Sequence, residues 1–195
     1  MIARVGATYG VLLMASPSPS PFGRPNPNGP KELADFGFAI GDWTYITTLT
    51  TSIDEEPNWN QPVLPSGTWR FRYGLDGWVV QDEFDQPLGN GTSARMVSIR
   101  AFDQEAGFWR VRGTGPSYPG WDEFEVRRLE GQVVMIGVSA RTASTSGGNL
   151  VERITFHDFK PDSWKRTGEQ SADGGNTWSG DVVHSLATRV SNDAR

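Results

Sequence analysis

The chain has 195 residues, 18 basic against 23 acidic, giving a net charge of −5 and a pI near 5.0. Its basic residues are interleaved with acids instead of gathered in a stripe, which argues against nucleic acid as a partner. The absence of cysteine removes disulfides, thiolate chemistry and Cys-ligated metal clusters, and two histidines, His157 and His184, are too few for a multi-histidine metal site.

Residues 1–15, MIARVGATYGVLLMA, faintly resemble a secretion signal, but Gly, Thr and Tyr interrupt the apolar stretch and the cleavage site is poor. The expectation is a cytoplasmic protein, with export as the alternative. Residues 16–30 are rich in Pro, Ser, Gly and Asn and bury too little surface to offset ordering entropy. Residues 1–34 therefore read as a flexible Pro-rich tail ahead of one domain over 35–190. Pro30 suits the first position of a short helical turn at Lys31 to Phe36, placed to plug one end of that domain. No apolar run approaches the roughly 20 residues that cross a bilayer as a helix, so no membrane partner is expected.

From Ala39 onward apolar and polar residues alternate with period two, and Val, Ile, Thr, Phe, Tyr and Trp dominate. Strands are predicted at 41–52, 67–75, 78–85, 92–102, 107–114, 122–129, 132–140, 150–158, 163–170 and 178–189. Asp76-Gly77 reads as a two-residue hairpin turn, Asp103 to Gly107 and Glu130-Gly131 as further hairpin connections, and SADGGNTW at Ser171 to Trp178 as the closing one. The longer irregular pieces, Ile53 to Pro65, Gly115 to Gly120 and Ala143 to Asn149, are candidate mouth loops. Sequential short strands without a long helix predict an all-β fold, an antiparallel up-and-down barrel of about 8–10 strands; a β-sandwich is the alternative. A barrel of this size holds side chains or one small ligand.

Counting across the Asp76-Gly77 turn pairs Tyr73 with Val80, Phe71 with Asp82 and Trp69 with Phe84. One face then carries Trp69, Phe71, Tyr73, Val80 and Phe84 around a single carboxylate, Asp82, while Arg70 and Arg72 oppose Glu83 and Gln81 on the other. An inward Asp82 is a candidate general acid or base or a partner for a ligand amine, and pairing with a buried arginine or capping a strand end is its structural alternative. Setting Phe102 opposite Phe108 puts Arg100 opposite Arg110 and Ser98 opposite Arg112 on one face, read as a solvated surface with a basic floor for an anionic ligand as the alternative, and Val97, Ile99, Ala101, Trp109 and Val111 on the other. Alternation places Arg153, Thr155 and His157 on one face and Glu152, Ile154 and Phe156 on its opposite. His184 falls across from Lys165, near Thr167 and Glu169. Imidazole beside a carboxylate suits proton transfer near neutral pH. No Walker or Rossmann glycine pattern and no GxSxG elbow occurs, and nothing specifies a cofactor, so none is expected.

DFGFAIGDWTY at Asp35 to Tyr45, LDGWVVQDEFD at Leu75 to Asp85, IRAFDQEAGFWRV at Ile99 to Val111 and SADGGNTW occur in an order that resembles a family of bacterial calycin-like β-barrel domains of unknown function. The resemblance implies a lipocalin-like barrel in which Gly41 and Trp43 mark the first strand and the Trp43 ring packs over a closed end. It implies binding of small hydrophobic molecules, or recruitment as a cofactor-independent cyclase, isomerase or lyase, and carries over no catalytic residue. The expected function is binding of a small hydrophobic or aromatic molecule by Trp69, Phe71, Tyr73, Val80, Phe84, Trp109 and Arg153. In the enzymatic alternative Asp82, His157, His184, Glu169 or Tyr73 moves a proton. The expected partner is a small molecule, with both monomer and homodimer open.

Overall fold

The computed structural model describes residues 20–116, 120–138, 150–179 and 181–190. Ten antiparallel strands make up the domain: β1 Gly41–Thr50, β2 Gly67–Gly74, β3 Val79–Pro87, β4 Ser93–Asp103, β5 Phe108–Thr114, β6 Asp122–Leu129, β7 Gln132–Val138, β8 Val151–His157, β9 Ser163–Ser171 and β10 Val182–Arg189. Each pairs with its neighbours in sequence, and β10 closes on β1. Closure leaves no strand edge with unpaired backbone groups. The alternating sequence is what permits this, because each strand has one apolar face to turn inward.

The β2–β3 register is the one counted from sequence, with Phe71 opposite Asp82 and Trp69 opposite Phe84. The turn itself is a 3-10 turn, Leu75–Gly77, in which Leu75 and Asp76 take φ of 48° and 53° and Gly77 takes 91°. Glycine is required at position 77, because the backbone of Arg24 to Asn26 lies where a Cβ would stand. Ser20 to Pro30, read from composition as part of a tail, lies along this hairpin. Tyr73 N donates to Phe22 O at 2.8 Å and Asn26 N to Gly77 O at 3.1 Å.

The β4–β5 register differs by one residue from the count. Phe102 opposes Trp109, Arg100 opposes Val111 and Ser98 opposes Gly113. A one-residue slip exchanges the faces of a strand. Ser98, Arg100 and Phe102 therefore turn inward with Trp109 and Val111, whereas Val97, Ile99 and Ala101 face solvent beside Arg110 and Arg112. The slip arises in the connection, where Asp103 still pairs with Phe108 and its side chain caps Ala106 N. On β9–β10, His184 opposes Thr167 rather than Lys165, a two-residue offset that leaves its face unchanged. Strand β10 starts at Val182 rather than 178. Trp178 leaves the ladder and stacks on Arg153, its ring centroid 4.1 Å from the guanidinium carbon.

Of the fully described connections the longest, residues 51–66 between β1 and β2, lies at one end of the barrel. The opposite end is closed. The 3-10 turn Lys31–Ala34 inserts Leu33, and Phe36 comes next to meet the Trp109 ring edge-on at 5.1 Å. Trp43 and Trp164 cross above them at 5.6 Å. Trp43 Nε1 donates to Ala39 O at 2.6 Å, and Arg189 covers the outer side of the indole at 4.1 Å while donating to Ile40 O at 3.0 Å. These buried rings fill the lower half of the barrel with solid core.

Candidate functional site

Above that plug the side chains thin out and leave a lumen of about 570 Å³ open toward the β1–β2 loop. Trp69, Phe84 and Phe156 stand at its base, Val111, Phe124, Met135 and Ile154 form the middle, and Leu49, Leu88, Ala94, Met96 and Val183 form the rim. Val63 and Leu64 of the β1–β2 loop reach over the rim, held by a Val63 N to Thr47 O bond of 2.8 Å. The cavity arises because each strand contributes its inward alternate residues, and these are large below but smaller or flexible above. Its polar groups are few beside its apolar wall: Thr47, Gln86, Ser98, Arg100, Asp122, Glu152, Arg166 and Gln170 are among them. Gln170 Nε2 donates to Glu152 at 3.2 Å, and Gln86 Nε2 to Pro65 O at 2.7 Å.

At the boundary of lumen and plug sits a buried polar cluster. Asp82 accepts from Trp69 Nε1 at 2.6 Å, from Ser98 Oγ and from Arg100 Nη1. Three donors on one carboxylate offset the cost of burying it. Arg100 is fully enclosed, its guanidinium carbon 5.2 Å from the centroids of both Phe36 and Phe71. Burial lowers its pKa to about 9, so it stays charged at neutral pH and balances Asp82. The Asp82 contact also fixes the Trp69 indole, whose face forms part of the lumen base.

Of the residues selected from sequence, Trp69, Phe84 and Glu169 border the lumen. Phe71, Val80 and Trp109 are in the packed plug, and Tyr73 reaches it by donating to Leu33 O at 3.0 Å. Burial, then the Asp35 charge, raises the Tyr73 pKa. Arg153, His157 and His184 face outward. Glu169 turns its carboxylate the same way and pairs with Arg153 at 2.8 Å. His157 lies 3.5 Å from Asp158, whose carboxylate is held below its usual range chiefly by the hydrogen bond from Lys165.

His184 is buried beneath the β1–β2 loop on that outer face, with Trp59 edge-on to it at 6.4 Å. Thr50 Oγ1 donates to Ser52 O at 2.7 Å and lies 2.8 Å from His184 Nε2. The hydroxyl has one proton and has already given it, so Nε2 is the donor and carries the ring hydrogen. Burial first, then His157, lowers the His184 pKa, and the imidazole is neutral at pH 7. Among the described residues no cluster of three or more metal-ligating side chains occurs.

Phe124, Met135, Ile154 and Phe156 were legible in the period-two alternation but were not singled out. Met96 and Ser98 were hidden by the register slip. Val63 and Leu64 lie in the Ile53 to Pro65 stretch read as a mouth loop, but which of its residues reach the rim is set by tertiary packing.

The architecture and the cavity define a calycin-like β-barrel: ten antiparallel strands, one end closed by a tryptophan plug and the other open to a lumen. No protein-family model matches the chain, and no curated protein matches it. Among solved structures it is similar to the S-type phycobiliprotein lyase CPES from Guillardia theta, with a TM-score of 0.50 at 10 % identity over 80 % of this chain and 91 % of that one. It is also similar to Rv2717c from M. tuberculosis, with a TM-score of 0.52 at 8 % identity over 83 % and 99 %. At these identities the likeness is one of fold alone.

Proposed function

We propose that the protein binds one small, largely apolar or aromatic molecule in its lumen. The observation that carries this reading is the cavity of about 570 Å³, within the range of small-molecule sites, walled by rings and aliphatic side chains and entered from one end. A bound guest displaces water from Trp69, Phe84 and Phe156, at roughly 25 cal/mol per Å² of apolar surface covered. Asp82 is a positioning residue: it fixes Trp69 and neutralises Arg100 without itself lining the lumen. One structural neighbour is named as a lyase, which keeps turnover in view for this fold. For this chain, binding without turnover is favoured by the placement of the groups selected for proton transfer. Asp82 is saturated by three donors, and His157 and His184 face the outside of the barrel, where Glu169 is occupied by Arg153.

Titration with 8-anilinonaphthalene-1-sulfonate tests the proposal. The wild-type chain is expected to bind one dye saturably, with quenching of tryptophan emission. Ala94→Phe, which fills the rim, and Met135→Trp, which fills the middle, are expected to abolish binding, while the outer-face variant His184→Gln retains it. Unchanged binding in both filled variants refutes a lumen site, as does the absence of saturable binding in the wild type.

A further inference from the structure

The outer face of β4 to β7 repeats one order of side chains across the strands. Pairing aligns Ile99, Arg112, Glu123 and Val138 in one row, and Ala101, Arg110, Glu125 and Ile136 in the next. Each row runs apolar, basic, acidic, apolar. The outer columns are apolar where an outward strand face is ordinarily polar: Val97, Ile99, Ile136 and Val138 each leave 41–46 % of their surface exposed.

We propose that a second copy of this chain docks on this face, about a two-fold axis running along the strands between β5 and β6. That rotation exchanges β5 with β6 and β4 with β7. It sets Arg112 against Glu123 of the second copy, Arg110 against Glu125, and Ile99 against Val138. An isologous interface must be complementary to itself, and these rows meet that condition without any rearrangement of the strands. A different partner would have to present the same alternation of acid and base, which the chain already carries.

Shape agrees with charge. A groove of about 740 Å³ runs over β5 to β7, with Trp121, Arg127, Ile136 and Val138 among its walls. The rotation lays the β4 ridge of the second copy, Val97 and Ile99, on its β7 side. Within one chain Arg112 and Glu123 lie 3.0 Å apart, and both remain more than half exposed, so each can take a second partner. Exposed ion pairs contribute little affinity by themselves. The apolar columns supply the binding and the charged columns set the register.

Sedimentation equilibrium of the full chain tests this. The wild type is expected to associate to twice its 21.4 kDa mass. Arg112→Glu and Glu123→Arg, tested separately, each bring like charges together across the axis and are expected to weaken association at least about tenfold. An equimolar mixture of the two variants is expected to restore the dimer, because every contact across the axis is then between opposite charges. Circular dichroism verifies that each variant is folded; if a reversal unfolds the chain, Ile136→Lys takes its place and is expected to be monomeric. A wild type that stays monomeric at its highest soluble concentration overturns the proposal. So does a dimer indifferent to these substitutions, or a mixture that fails to reassociate.

Discussion

At the scale of single residues, burial decides which charges matter. Asp42 and Arg70 are joined at 2.5 Å on the exposed side of β1 and β2, and solvent screening holds such a pair to under about 1 kcal/mol. Asp82 and Arg100 form the same kind of pair with almost no exposure. Removing one partner there strands a buried charge, at about 3–5 kcal/mol. Asp82→Asn and Arg100→Met are each expected to lower stability by that order in urea unfolding. The double replacement Asp82→Leu with Arg100→Met is expected to cost less than either single change, because no unpaired charge remains. His184 gives a pH signature of the opposite kind from a salt-bridged histidine. Its folded pKa lies below the unfolded value of 6.5, so the unfolded chain holds more protons in the window between them. Stability is therefore full above about pH 6.5 and declines as pH falls toward the folded value. Melting temperatures between pH 7.5 and 5 are expected to fall more steeply for the wild type than for His184→Gln, whose amide still donates to Thr50.

At the scale of elements, the strands were legible and their connections less so. Period two fixes which residues share a face, and nine of the ten strands begin within a residue of where that period starts. The β2–β3 register came correctly from counting across a short turn. The β4–β5 register did not, because a connection of several residues sets the pairing by its own hydrogen bonds, here the Asp103 cap, which leave no trace in the alternation. The error moved Arg100 from core to surface and hid the partner of Asp82. The place of Trp43 was implied by the family resemblance of the Gly41 to Trp43 stretch, but Arg189, which closes over it, lies at the far end of the chain and has no local signal. Gly41 takes φ of 137°, and a Cβ there would collide with the Arg189 guanidinium. Gly41→Ala is expected to cost about 1–3 kcal/mol, measured by chemical unfolding. Gly131→Ala offers a comparison, since its φ of 68° is unfavourable but nothing stands where its Cβ would go.

At the scale of the whole molecule, the barrel separates packed core from open lumen along its axis. The plugged half spends its large rings on core, and the open half leaves smaller and more flexible side chains around a space. Sequence conveyed that aromatic residues would face inward, because alternation states the face. It did not convey at what height along the axis each ring sits, because height depends on strand stagger, and so Phe71, Val80 and Trp109 were assigned to ligand when they belong to the plug. The sharpest test of the proposed lumen site is a crystal soaked in 1-iodo-2-naphthol, in which anomalous scattering locates the guest. An iodine peak is expected inside the barrel among Trp69, Phe84, Ile154 and Phe156. An empty lumen, with iodine found only on the outer strand faces, would refute binding there.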